Sequence, residues 1–379
     1  MTVRPGPLKL WLKLWLHALL LVLLSACYAQ TPPPAAPTPP PAPAQPELPS
    51  ERWSMIEPGG DTTCADGSSY AFYARDGSNN LVIDFQGGGA CWNAATCSRP
   101  GAVYSTRLSP PPAGGGLYSR GRDDNPVADW AHVFIPYCTG DVHWGDNSAS
   151  YDAVTGGKGG FTVLHRGAVN ARAALAWVFE HFEAPERIFV TGCSAGAYGA
   201  ILWTPLIREH YLQAEFYQLG DSGAGVVTET FVADSLRHWN VLGAIPTWVP
   251  GLEPSEDEVF GTDFVSRLYS AIGRHYQGVT LAQYHTLFDG VQIGFFELMG
   301  GRPEAWSAEM LRSLQTISAE TGTFTSYLAN YGADPRGATP HCILSRPEFY
   351  SLETGGVVFV DWLTALLSGE DAPDVRGLE

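Results

Sequence analysis

Gly192-Cys193-Ser194-Ala195-Gly196 follows the β-like run Arg187-Ile188-Phe189-Val190-Thr191, which is the spacing of a nucleophile elbow on a strand-to-helix turn. Small residues two before and two after Ser194 let the backbone turn tightly enough to hold its Oγ clear of a sheet. A free serine hydroxyl is a poor nucleophile. It needs a histidine to take its proton, an acid to orient that histidine, and N–H groups to hold the oxyanion. In a chain with 42 glycines the pentapeptide gains meaning only through those partners.

In the α/β-hydrolase order the acid and then the histidine follow the serine. His341 fits that order, in the loop-like stretch Gly337-Ala338-Thr339-Pro340-His341-Cys342. His143 and His165 precede the serine, while His210, His238, His275 and His285 fall in stretches that read as helical. For the acid, Asp289 in Phe288-Asp289-Gly290 competes with Asp221 in Gly220-Asp221-Ser222-Gly223. Spacing leaves that choice open, with chain order leaning to Asp289 and the other aspartate left to brace a turn. The oxyanion donors are expected from Ala195, which follows the nucleophile, and from Gly88 and Gly89 in the early glycine run. No Gly-Lys-Ser or Gly-Lys-Thr follows that run, so a phosphate loop is disfavoured. Without paired short cysteine spacings or a histidine pair on one helix face, neither a metal nor a cofactor is expected.

The elements that must position these groups alternate. Leu81–Phe85 reads as a buried strand ending at Gly87-Gly88-Gly89, and Val133–Tyr137 as a second with Pro136 near its end. Apolar residues between Gly167 and Phe182 recur with a helical period, and the elbow strand follows directly. Glu215–Leu219 reads as another strand, ending at Asp221. This order predicts an α/β fold, an α/β-hydrolase-like three-layer sandwich with a largely parallel sheet, whose strand ends gather the glycine loop, the elbow and the Asp221 loop on one edge. From about Thr230 to Glu309 the pattern is more helical and aromatic and suits a lid or helical face; Val357–Leu367 suits a closing helix.

Several separate segments together resemble the pectin acetylesterases and the related Notum carboxylesterases: Gly87-Gly88-Gly89-Ala90-Cys91-Trp92 with Cys97, Asn125-Pro126 with Trp130, Pro136-Tyr137-Cys138-Thr139-Gly140-Asp141-Val142-His143, the elbow, Asp221-Ser222, Asp289 with Gln292, and His341-Cys342. The resemblance implies an α/β-hydrolase-like fold, metal-independent ester hydrolysis, and a triad of Ser194, Asp289 and His341, with Asp141 and His143 as supports near the cleft. Val291 stands where the plant enzymes usually carry Trp, and Ile343 follows Cys342 where they carry Gln. On this reading the protein is a serine carboxylesterase that removes acetyl or other short acyl groups from an acylated small molecule or polysaccharide. The alternatives are a Notum-like long-acyl deacylase and an inactive carbohydrate-binding protein of the same fold.

Residues 1–27 have the layout of an export signal: Arg4, Lys9 and Lys13, then an apolar run from Leu14 to Leu24, then the lipobox-like Leu24-Ser25-Ala26-Cys27. Lipidation at Cys27 would anchor the chain to a membrane as a bacterial lipoprotein of the cell envelope, or ordinary cleavage nearby would release it. Residues 28–50 read as a Pro/Ala-rich tether and 51–379 as a single esterase domain. A formal charge of -17 with 22 Lys and Arg argues against a nucleic-acid partner and weakens the case for pectin. Beyond Cys27 six cysteines are left in a compartment that permits disulfides. Cys91 with Cys97 and Cys64 with Cys138 are the plausible bridges, leaving Cys193 and Cys342 unassigned. Nothing in the sequence sets the oligomeric state.

Overall fold

The computed structural model describes residues 52–99, 101–154, 159–253 and 261–377, all within one compact unit, Leu48–Glu379. The export signal, Cys27 and the Pro/Ala tether lie outside the described residues. The strands are β1 (Ser54–Ile56), β2 (Phe72–Arg75), β3 (Ser78–Phe85), β4 (Trp130–Ile135), β5 (Asn147–Tyr151), β6 (Phe161–His165), β7 (Arg187–Cys193), β8 (Glu215–Asp221), β9 (Val279–Thr286), β10 (Phe324–Ala329), β11 (Glu353–Thr354), β12 (Val357–Val358) and β13 (Val375–Arg376). The main helices are α1 (Gly167–His181), α2 (Ala195–His210), α3 (Glu229–Trp239), α4 (Phe264–His275), α5 (Gly290–Leu298), α6 (Trp306–Glu320) and α7 (Phe359–Leu367).

Among the described residues one nine-stranded sheet runs in the order β1-β2-β4-β3-β7-β8-β9-β10-β13. The pairs from β4 to β13 are parallel, and β1 and β2 close one edge antiparallel. Both faces are covered, which is why the strands read as continuous apolar runs instead of alternating ones. Leu81, Ile83, Phe85, Ile188 and Val190 face one core with residues of α1, α2 and α4. Val82, Phe134, Phe189, Leu219 and Tyr284 face the other, with Phe359, Trp362 and Leu366 of α7. The result is the expected three-layer α/β sandwich.

The segment read as helical from Thr230 onward departs from that reading at β9, a strand between β8 and β10. Thr280, Gln283, His285 and Thr286 interrupt its apolar pattern; within the structure His285 Nε2 lies 2.9 Å from Gln283 Oε1, and Thr286 Oγ1 donates to the Pro340 carbonyl at 2.7 Å. His285 is therefore a strand residue buried in the sheet, not a helical one.

Burial also sets how stability responds to pH. His132, His143, His165 and His285 are each held down at about 4 chiefly by desolvation, so each is neutral in the folded protein while the unfolded chain protonates near its ordinary value. The unfolded state then binds more protons as pH falls from about 6.5 to 4, and their contribution to stability is lost across that window. Asp141 and Asp221, pushed up to about 6 by burial, have the opposite sign, since the folded protein takes those protons first. Four groups oppose two. The expected result is a lower Tm at pH 5 than at pH 7, read by calorimetry; an unchanged or higher Tm at pH 5 would count against four buried neutral imidazoles.

Candidate active site

Ser194 sits at the junction of β7 and α2 with φ 57° and ψ −121°, a left-handed backbone that a non-glycine residue adopts at a cost of about 1–3 kcal/mol. The surroundings enforce it. A Cβ at Gly192 would meet the Phe85 carbonyl oxygen at 2.5 Å, and one at Gly196 would collide with the same oxygen, so both flanking glycines are demanded by the approach of β3. The Ser194 N–H donates to the Asp221 carbonyl at 2.7 Å, tying the elbow to β8. Ala195 opens α2, so its N–H has no acceptor within the helix.

The glycine loop touches the elbow from the other side. A Cβ at Gly87 would come within 3.0 Å of Ser194 Cβ, and Gly88 (φ 154°) and Gly89 (φ 75°) hold backbone conformations and spaces that a side chain would not fit. At Gly88 it would strike Tyr137, and at Gly89 it would approach Phe295 at 3.0 Å. Backbone N–H groups are thereby brought close to the serine without a Cβ in the way.

Asp289 ends the loop after β9 and caps α5, its Oδ1 accepting from the Val291 and Gln292 N–H groups at 3.0 Å each. Its Oδ2 accepts from Gln292 Nε2 at 2.9 Å and lies 2.7 Å from His341 Nδ1. The carboxylate is fully buried, whereas the imidazole is 15% exposed. Backbone hydrogen bonds join the two loops directly, from Gly290 N–H to the Thr339 carbonyl and from Thr339 N–H to the Phe288 carbonyl. His341 Nε2 has no hydrogen-bond partner among the described residues, Ser194 Oγ included, and both side chains line one cavity. Substrate-free hydrolase sites commonly show this looseness and tighten on binding.

Asp221, the competing acid, does other work. Its Oδ2 accepts from the Ile343 and Leu344 N–H groups at 2.8 and 2.9 Å, so it braces the loop that carries His341 without touching the imidazole. Asp141 accepts from Gly167 N–H and Thr139 Oγ1, and His143 Nε2 bonds the Gln86 carbonyl; both are structural supports beside the glycine loop.

Cys64–Cys138 and Cys91–Cys97 are bridged as their spacing suggested. The third bridge, Cys193–Cys342, was hidden because 149 residues separate its ends, and it joins the chain neighbours of Ser194 and His341. Its removal in Cys193→Ser/Cys342→Ser should lower stability by about 4–5 kcal/mol on loop entropy alone. Activity at temperatures where the variant stays folded should fall as well, because the bridge fixes the separation of elbow and histidine loop. Urea unfolding and ester hydrolysis at 15 °C check both; wild-type activity would show that the two loops hold their positions without it.

A cavity of about 100 Å³ opens from the elbow, lined by Gly89, Ser194, Ala195 and His341 at one end. The remainder is mostly apolar, with Trp144, Tyr198, Phe231, Val265, Phe295 and Met299. Phe231 and Val265 come from α3 and α4, within the aromatic segment that the sequence marked as a lid or helical face.

Residues 56–237 match the family model described as pectinacetylesterase. The fold is that of the Wnt deacylase Notum from Drosophila, with TM-score 0.60 over 83% of this chain and 93% of that one at 19% identity. The likeness to the pectinacetylesterases spans a little under half of the chain. The chain is also similar to palmitoleoyl-protein carboxylesterase notum2 of Xenopus laevis, 33% identical over 103 residues, and to pectin acetylesterase 11 of Arabidopsis thaliana, 29% identical over 148 residues. These alignments cover 24% and 37% of this chain, and only 20% and 36% of the length of those two relatives. A second crystal form of Drosophila Notum gives the same TM-score over 84% of this chain. Both named relatives are carboxylic-ester hydrolases by description, and their two substrates differ widely in acyl length, so the likeness alone leaves the acyl group open.

Proposed function

We propose that the protein is a serine carboxylesterase in which His341 deprotonates Ser194, Ser194 attacks an ester carbonyl, and the N–H groups of Gly88, Gly89 and Ala195 hold the oxyanion. Asp289 keeps the proton of His341 on Nδ1, leaving Nε2 to accept. The alcohol leaves with that proton, and water then releases the carboxylic acid from the acyl-enzyme. One observation carries the reading: a positive-φ serine elbow and a carboxylate-bound histidine converge on one cavity beside a glycine loop. Three disulfides fit an extracytoplasmic setting, and among the described residues no helix is long and apolar enough to cross a membrane.

The lining of the cavity supports a longer acyl chain over acetate, because a two-carbon group would leave most of the apolar wall against water, whereas each buried CH₂ contributes about 0.8 kcal/mol. An active-site serine probe should label Ser194 covalently in the folded protein, and absence of labelling would favour the inactive carbohydrate-binding alternative. With one chromogenic alcohol, the octanoyl ester should show at least about tenfold higher kcat/KM than the acetyl ester. Preference for acetate would restore the short-acyl reading.

A further inference from the structure

A second cavity, of about 360 Å³, meets the same serine and is lined by the whole glycine loop, Gly87, Gly88 and Gly89. It shares Gly89, Ser194, Val291, Phe295 and His341 with the apolar cavity but is otherwise differently made. Its floor contains Asp84, a carboxylate on β3 where Val82 and the neighbouring strands present apolar residues to the same buried face. Asp84 is 2% exposed. Tyr118, which also lines the cavity, donates its hydroxyl to Asp84 Oδ2 at 2.5 Å, and His132 Nε2 lies 3.3 Å from the same oxygen. Arg75 stands behind, its Nη2 3.1 Å from His132 Nδ1. A buried carboxylate with this support is costly to maintain for packing alone. No Lys or Arg lines the cavity among the described residues.

We propose that this cavity is the alcohol-side subsite of the esterase, built for a neutral, hydroxyl-bearing leaving group such as a neutral sugar, and closed to uronates. The inference rests on the esterase reading above. An ester held at Ser194 must place its acyl chain and its alcohol on opposite sides of the carbonyl, and the apolar cavity suits the chain. The remaining acceptor capacity of Asp84, with the hydroxyls of Tyr118 and Ser345, matches sugar O–H groups. An anionic sugar would lose its hydration in a wall that holds no cation to replace it. A cationic alcohol is not required, since Arg75 already balances the charge of Asp84 across His132.

The test compares octanoyl esters of glucose, glucuronic acid and choline on the full chain. The expected kcat/KM for the glucose ester exceeds that for the glucuronate ester by about tenfold or more, and exceeds that for the choline ester. Ser345 is exposed at the cavity rim, so Ser345→Lys should fold and should cut the glucose-to-glucuronate ratio by about tenfold; Asp84→Asn should cut it too. If Asp84→Asn does not fold, Ser345→Lys decides alone. Equal rates for the glucose and glucuronate esters, a preference for choline, or a ratio unmoved by Ser345→Lys would overturn the subsite while leaving the esterase intact. Failure to cleave any of these esters or a p-nitrophenyl ester would overturn the esterase reading beneath it.

Discussion

Ser194→Ala should reduce ester hydrolysis by a factor on the order of 10⁶ in kcat, with a residual rate above water from oxyanion donors and substrate binding. The effect is this large because the variant keeps everything except the attacking atom. Alanine at φ 57° is as strained as serine, so the elbow neither gains nor loses backbone energy. The Ser194 N–H bond to Asp221 is a main-chain contact and survives the change. The Tm should therefore stay close to that of the wild type while activity disappears. Kinetics with a p-nitrophenyl ester alongside calorimetry checks both halves. A variant that keeps even a tenth of the activity would show that a different group carries the nucleophilic step.

Asp289→Asn should cost about 10⁴-fold in kcat. Oδ1 accepts two backbone N–H bonds at the start of α5, and Oδ2 accepts from Gln292 Nε2 and faces His341 Nδ1, so the carboxylate is acceptor on every side. An amide cannot satisfy that set. If its oxygen keeps the α5 cap, its NH₂ points at Gln292 and His341, which drives the imidazole proton to Nε2 and removes the base that Ser194 needs. The matched comparison is Asp221→Asn. That carboxylate holds the Ile343 and Leu344 N–H groups without touching the imidazole, so its loss should appear first in stability, with a much smaller change in kcat. Equal kinetic losses at the two positions would mean that the orienting acid is misassigned.

Much of the site was legible because its chemistry is local in sequence. The two glycines around Ser194 are fixed by one backbone approach, that of Phe85, and such a demand leaves a pentapeptide signature. The glycine loop was equally visible, since its N–H groups can reach a substrate only where no Cβ intervenes. The choice between Asp221 and Asp289 was different. Both precede turns at the ends of parallel strands, so chain order only leaned to Asp289, residue-by-residue resemblance favoured it further, and its contact with His341 distinguishes it from Asp221. Strand β9 was not legible because Gln283, His285 and Thr286 are polar yet buried in it, and periodicity cannot report such burial.

The alternation of β3, β4, α1, β7 and β8, the elbow, the glycine loop and the bridges of short or plausible spacing were determined by the sequence itself, since each depends on backbone preferences and burial patterns within a short window. Tertiary structure alone decided that Cys193 pairs with Cys342 and that Ser194 stands between an apolar cavity and one floored by Asp84, and it is what brings Asp289, and not Asp221, against His341. Those features depend on segments separated by dozens to more than a hundred residues. Their distances are set by how the sheet stacks its strands, so no local pattern encodes them.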